Sequence, residues 1–527
     1  MPTVAISNWF KKVNKNALHA MVVAMVVGII THLFVLTNKV FNYNEFSVLF
    51  LDKEEMTLGR MAEGRWFVGF IGQLVGDNYS MQMVTGIIGI VLIALAAGMI
   101  VSVLDITNKL YAILTGCVLV VFPAITSFMT FTQLGDAWFL SVFLAILAVY
   151  LTEKKKWGHF AGLVMVGLSL AIHQAYVSVT IAFMFLVIFR DVYEQGKSWK
   201  DLFPKIGKYL IILVGGFIFY YIGVKVSAAL FDYSLSSYHG INEMTSFTPK
   251  GIAKGIVYSY IYFLEYFFTT KYLFSYVWVV IDILLAISLI YYILCSVIKS
   301  FKGGVKSQGI LKILLFVLLP LGMNGLPVLL ADRVGAGVDR YMMYSLVLLW
   351  VLVLFIADRM EGKDTEPCIG KKICLWVITI GIVLHIGHDY VIDNQAYYRA
   401  HAATEQTTSY LNRVAAKMEA TEGWSAETPV YFVTDGELFG NYEVVLKEFD
   451  ELAEMRGTAY EPNYNAPGIA RFMQYYFHFP VTLASEEQIE QIQSDEAYQK
   501  MGMYPAADSV QMINGVLVVK LSDVEIQ

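Results

Sequence analysis

Residues 131–190 read FTQLGDAWFLSVFLAILAVYLTEKKKWGHFAGLVMVGLSLAIHQAYVSVTIAFMFLVIFR. Two short polar breaks divide this stretch. The first is Lys154-Lys155-Lys156 and the second His173-Gln174-Ala175-Tyr176. The apolar runs between them, near 137–152, 159–175 and 176–190, are close to the roughly 20 residues needed to cross a bilayer as a helix. One turn carries three lysines and the next carries none. That alternation assigns the lysine turn to the cytoplasmic side and the His-Gln-Ala-Tyr turn to the opposite face.

The same pattern extends in both directions. The 527 residues are 57% hydrophobic and only 16% charged, with a mean hydropathy of +0.57, whereas a soluble domain is about 25% charged. Spans are expected near 17–37, 80–103, 110–128, 137–152, 159–175, 176–190, 207–230, 274–298, 309–330, 341–357 and 373–391. The basic turns fall at Lys11/Lys12/Lys15, Lys154/Lys155/Lys156, Arg190/Lys197/Lys200/Lys205/Lys208, Lys299/Lys302/Lys306 and Arg359/Lys363/Lys371/Lys372. About 11 spans then place the N-terminus in the cytoplasm and everything after 391 outside. The expected organisation is a polytopic α-helical domain over 1–391, with a first outer loop at 38–66, followed by a small extracytoplasmic α/β domain over 392–527. The aromatic stretch 256–268 (IVYSYIYFLEYFF) suits an interfacial or re-entrant helix. No basic face points to nucleic acid, and the four cysteines show neither a disulfide framework nor zinc spacing.

Ionisable residues near the membrane mark the candidate chemistry. The first outer loop, NYNEFSVLFLDKEEMTLGRMAEGRW at 42–66, carries Glu45, Asp52, Glu54, Glu55 and Glu63 beside Arg60 and Arg65. Phe46, Leu49, Phe50 and Leu51 recur at helical spacing, as in a short helix lying on the membrane. A partly desolvated carboxylate there suits a general base; a solvated surface loop would carry the same charges. Asp136 stands at the mouth of a span, as a functional carboxylate or as the cap of its own helix. His173, Gln174 and Tyr176 offer hydrogen bonds to sugar or phosphate, or serve structure alone. Arg333 and Arg340 present forks that match phosphate, or pair locally with Asp332 and Asp339. Trp66 and Trp138 lie at the interface, as ring-stacking groups or as part of an aromatic belt. In the tail, helices are expected at 404–418, 468–477 and 485–494 and strands at 429–434 and 515–520. No glycine-rich nucleotide loop or HExxH is present.

The loop ending in Gly64-Arg65-Trp66, the stretches FTQLGDAWFLSVFLAILAVYL and LSLAIHQAYVSV, and the ending YPAADSVQMINGVLVVKLS resemble bacterial membrane glucosyltransferases of the O-antigen-modifying, type-two kind. The resemblance implies a GT-C type fold in the bacterial cytoplasmic membrane and an outward-facing site. It also implies inverting transfer of a sugar, glucose above all, from undecaprenyl-phosphate-sugar to a cell-surface or cell-wall glycan. Related sequences carry His-Asp before the loop helix, where this chain has Tyr43-Asn44-Glu45. The base role therefore passes to Glu45, or to Asp52 or Glu55, with Asp136 assisting. Arg65, Trp66, His173, Gln174, Tyr176, Arg333 and Arg340 are the expected substrate-binding residues. Carboxylates facing a phosphate would suit Mg2+ or Mn2+, although the sequence shows no ligand cage. The rival readings are a flippase for a lipid-linked sugar and a glycan polymerase or ligase.

Overall fold

The structure, a computed structural model, describes residues 14–40, 51, 53–75, 81–131, 134–194, 196–236, 248–331, 338–361, 368–435 and 464–523. Eight of its helices are long and apolar enough to cross a membrane, and ten if each of two bent pairs counts as one span. The chain is therefore a multi-pass membrane protein. The bent pairs are Lys109–Val121 with Ala124–Thr130, turned by 47°, and Lys306–Val317 with Leu319–Gly325, turned by 41°. Pro123 and Pro320 stand at the two breaks, and proline cannot continue the ladder of helical hydrogen bonds. A shorter apolar helix, Gly158–Ile172, is joined by a 3-10 turn at Gln174–Tyr176 to Val177–Tyr193.

One end of the bundle is knotted by charge. Asp191, fully buried, pairs with Arg190 and Lys197 at 2.7 Å and with Lys205 at 2.8 Å. Lys205 also reaches Glu153 at 2.8 Å, and Arg359 reaches Glu194 at 2.9 Å. The Asp358 carboxylate accepts the backbone N–H groups of Thr107 (3.1 Å) and Asn108 (2.6 Å), and so anchors the turn before the helix starting at Lys109, which Asn108 caps through the Leu110 N–H. Several of the basic turns read from the sequence thus lie together, at the end away from Arg65 and His173.

The aromatic stretch read at 256–268 belongs to a longer helix, Pro249–Phe268. Phe263, Tyr266 and Phe267 of this helix are buried in the main core, so its aromatic face packs into the bundle.

The last bundle helix, Ile369–Glu419, has 51 residues. At 1.5 Å per residue it is about 77 Å long, well beyond the roughly 30 Å of a hydrocarbon core, so part of it must project from the membrane. Its last turns bury Tyr410, Leu411, Val414 and Met418 in a second core with Val430, Phe432, Phe472 and Leu517. The sheet there is ordered β2-β1-β4-β3, with β1 Pro429–Val433, β2 Thr482–Leu483, β3 Val510–Ile513 and β4 Val516–Lys520. β1 is parallel to β2 and β4, with Val430 opposite Leu517 and Phe432 opposite Val519. β3 and β4 form a hairpin turned by Asn514 and Gly515, both at positive φ, the combination that a two-residue turn between antiparallel strands requires.

Candidate functional site

The helix Lys53–Ala62 ends in a left-handed cap. Gly64 has φ 73°, the Arg65 N–H donates to the Arg60 carbonyl at 3.0 Å, and the Gly64 N–H donates to the Met61 carbonyl at 2.8 Å. This pair of bonds is the Schellman stop, and it explains Gly64 in Gly-Arg-Trp: a side chain at that φ would be strained. The two following residues are then fixed in direction. Trp66 donates from Nε1 to the Tyr220 carbonyl at 3.2 Å and packs against Phe67 and Phe219. The Phe67 N–H donates to the Ala171 carbonyl at 3.1 Å, which draws the loop against the end of Gly158–Ile172. His173 follows directly.

Gln174 completes the clasp by donating from Nε2 to the Glu63 carbonyl and to the Tyr220 hydroxyl, both at 3.1 Å. Arg65 thereby arrives with Nη1 2.6 Å from Glu63 Oε2 and Nη2 3.5 Å from His173 Nε2. The second contact has a chemical consequence. Nδ1 of His173 accepts the Ala175 N–H at 3.3 Å, so in the neutral ring the proton sits on Nε2. Nε2–H and the Arg65 fork then stand side by side as donors, an arrangement that suits an anion between them.

Aromatic rings wall this spot. Trp138 stacks on Tyr341, with centroids 4.6 Å apart and planes 13° apart, and meets the His173 ring edge-on at 5.6 Å. Phe128 contacts both Trp138 and Tyr176. Three polar atoms here are buried with no hydrogen-bond partner among the described residues: Arg65 Nε, Trp138 Nε1 and the Tyr176 hydroxyl. A buried unsatisfied group costs about 1–3 kcal/mol, and such groups are rare in native proteins. Three around one spot are the strongest local sign of a ligand.

Asp136 is buried in the first turn of Gly135–Lys154, and its Oδ1 accepts the Ala137 N–H at 2.8 Å. The positive end of the helix dipole favours a carboxylate there. Gly135 lets this turn approach Phe128, since a Cβ would lie 2.1 Å from the Phe128 carbonyl oxygen. Trp138, two residues beyond Asp136, is thereby held in the aromatic wall.

Arg340 is buried at the start of the 3-10 segment Arg340–Leu346. Its guanidinium lies 4.8 Å from the Tyr272 ring centre and 5.3 Å from that of Phe274, and Nη2 donates to the Lys271 carbonyl at 3.4 Å. Neighbouring Tyr341 reaches Trp138 instead, so this segment borders the Arg65 cluster on one side and a second aromatic patch on the other. Glu55 is exposed and lies within electrostatic reach of Arg471 in the tail. It opposes the effect of burial on Arg471, whose guanidinium is lowered from its usual value chiefly by desolvation. Lys39 Nζ lies 4.3 Å above the Tyr476 ring and its carbonyl meets His401 Nδ1 at 3.0 Å, so the tail sits beside the first loop. Glu45, Asp52 and Arg333 lie outside the described residues, as do Phe46, Leu49 and Phe50 of the expected loop helix. Among the described residues no group of three or more His, Cys, Asp or Glu side chains is placed to hold a metal ion.

Tyr220 and Tyr341 join the cluster without having been singled out by sequence. Glu63, named there only as one of several loop acids, and Trp138, named as a ring-stacking or belt tryptophan, join it too.

The profile of one protein family, described as Glucosyl transferase GtrII, matches residues 33–357. No curated protein and no solved structure gives a match. The matched segment begins before the first loop and includes every residue of the Arg65–His173 cluster.

Proposed function

The chain belongs to the glucosyl transferase GtrII family, and from that premise we propose that it is an inverting, GT-C type glycosyltransferase of the bacterial cytoplasmic membrane. It moves glucose from undecaprenyl-phosphate-glucose to a cell-surface or cell-wall glycan at the outer face. The observation that carries this reading is the set of donors converging at one end of the bundle: Arg65 Nη2 beside His173 Nε2, with the buried Trp138 Nε1 and Tyr176 hydroxyl close by.

In this reading the donor phosphate rests against Arg65 and the Nε2–H of His173. A first-loop carboxylate, Glu45 before Asp52 or Glu55, takes the proton from the acceptor hydroxyl. The hydroxyl oxygen attacks the anomeric carbon from the face opposite the phosphate, a new C–O bond forms, and the bond to the phosphate oxygen breaks. The bonding pair leaves with the polyprenyl phosphate, whose growing charge meets donors already oriented toward it, the arrangement that contributes most to such catalysis. Glu63 is less suited to be the base, because its carboxylate is already engaged by the Arg65 guanidinium at 2.6 Å. Asp136 orients the acceptor. Arg333 and Arg340 lend further guanidinium groups to the lipid phosphate, and Trp66 holds the loop. The tail, extracytoplasmic in this orientation, guides the glycan toward the first loop.

The test is donor choice. Purified protein in proteoliposomes is offered radiolabelled polyprenyl-phosphate-glucose or UDP-glucose with a glycan acceptor. Transfer from the lipid donor alone supports the reading. Transfer from UDP-glucose, or lipid-linked label crossing the bilayer untransferred, would count against it, the latter in favour of a flippase.

A further inference from the structure

Three of the four cysteines meet where two helices touch. Cys295 lies in Tyr276–Lys302, Cys368 is the N-cap of Ile369–Glu419, and Cys374 follows in the second turn of that helix. Tyr291 links them. Its hydroxyl lies 3.6 Å from Cys368 Sγ, across 77 residues of chain. Cys295, one turn further along the same helix, is within electrostatic reach of that hydroxyl. Gly370 permits the approach, since a Cβ there would lie 2.8 Å from the hydroxyl oxygen. Cys374 is within electrostatic reach of both other thiols, but it is buried, whereas Cys295 and Cys368 are exposed, and all three are free.

The two exposed thiols differ in setting. The Lys371 backbone N–H, and after it the Tyr291 hydroxyl, the Lys371 charge and the Gly370 N–H, hold the Cys368 thiol below the ordinary thiol range. A thiol at a helix N-terminus beside a lysine is the usual setting of a reactive thiolate. Cys295 lies inside its helix, where the backbone N–H groups around it are committed to the helical ladder. An accessible, readily ionised thiol with a second thiol at hand is the arrangement of a redox-sensing pair. In the orientation proposed above this end, with Lys299, Lys302, Lys371 and Lys372, faces the cytoplasm. Thiols rest reduced there, and disulfides are transient.

We propose that Cys368 and Cys295 form a peroxide-sensitive dithiol, with Cys368 the reacting sulfur and Cys295 the resolving one. The Cys368 thiolate attacks one oxygen of a hydroperoxide. An S–O bond forms, the O–O bond breaks, and its electron pair leaves with the second oxygen, which takes up a proton. The peroxide is reduced, and Cys368 is oxidised to a sulfenic acid. Tyr291 swings aside and the Cys295 sulfur attacks that of Cys368. The S–S bond forms, the S–O bond breaks, and the oxygen departs with the Cys295 proton as water. A dithiol reductant of the cytoplasm reverses the step by exchange. The disulfide ties Tyr276–Lys302 to Ile369–Glu419, the helix that carries the tail. Cys374, being buried, takes no part. The sugar donor plays no role in this chemistry, so the pair stands or falls apart from the transferase.

The test uses full-length protein in nanodiscs, reduced and then freed of reductant. Iodoacetamide is expected to alkylate Cys368 about tenfold faster than Cys295. Hydrogen peroxide is expected to yield a peptide crosslinked between Cys295 and Cys368, read by mass spectrometry and lost again on adding dithiothreitol. With Cys295→Ser, dimedone should instead capture a sulfenic acid at Cys368. With Cys368→Ser, neither product should form. Equal alkylation rates, a crosslink to Cys374 or between two chains, or peroxide consumed without any crosslink would overturn the pair. Alkylation and crosslinking are read on wild type, so a serine variant that fails to fold leaves the outcome decided.

Discussion

Arg65 Nη2 lies 3.5 Å from Nε2 of His173, across 108 residues of chain. Each residue is delivered there by its own backbone device. A left-handed glycine stop turns Arg65 inward, and the 3-10 break after Ile172 holds His173 at the head of the next helix. The pair joins the first loop to the membrane bundle.

Arg65→Ala is expected to lower kcat/KM for the lipid donor by about a hundredfold to a thousandfold, the usual cost of removing an oriented donor from a developing charge. Arg65→Lys keeps the charge but loses the fork, and is expected to recover only part of that loss. Steady-state kinetics in proteoliposomes checks both.

Tyr176→Phe separates a ligand role from a structural one. The hydroxyl has no partner among the described residues, so its removal should leave stability unchanged or raise it by up to about 1 kcal/mol, while the KM for the lipid donor rises. A lowered melting temperature with unchanged kinetics would mean that the hydroxyl serves the fold.

Gly135→Ala places a methyl group against the Phe128 carbonyl. The expected cost is about 1–3 kcal/mol, with loss of activity because Trp138 shifts with its helix. Thermal unfolding in detergent, read beside the transfer rate, checks both effects.

Asp191→Ala acts at the far end of the bundle. It leaves Arg190, Lys197 and Lys205 without their shared carboxylate, and a loss of about 3 kcal/mol is expected. The transfer rate per folded molecule should stay near wild type, because this network lies at the opposite end of the bundle from the Arg65 cluster.

Much of the bundle was legible because lipid imposes one rule, long apolar runs with charge at the turns, and the helices lie close to the expected spans. Two strands of the tail lie near their expected places, since Pro429–Val433 and Val516–Lys520 are short apolar runs bounded by turn residues. Thr482–Leu483 and Val510–Ile513 were not expected, and the helix read at 404–418 is the end of Ile369–Glu419. The site was legible only in part. His173 stands out as a polar residue where apolar ones are the rule, and Arg65 through the Gly-Arg-Trp that closes the first loop. Trp138 reads as an interfacial tryptophan, and only the stack on Tyr341, 203 positions away, turns it into a wall of the cluster. Arg340 and Tyr341 are neighbours in sequence, yet the tight 3-10 backbone sends them to different patches. Glu63 could not be ranked above the other acids of its loop, because its pairing with Arg65 depends on the cap at Gly64. In each case a long-range contact or a local turn chose among residues that composition treats alike.

The most direct test measures transfer of label from radiolabelled polyprenyl-phosphate-glucose to glycan in proteoliposomes, with wild type beside Arg65→Ala and Glu45→Gln. Label reaching glycan with wild type, and falling steeply in both variants while each remains folded, is the expected result. Near-normal transfer by both variants, or label that crosses the bilayer without joining glycan, would contradict a lipid-donor transferase built around the Arg65–His173 pair.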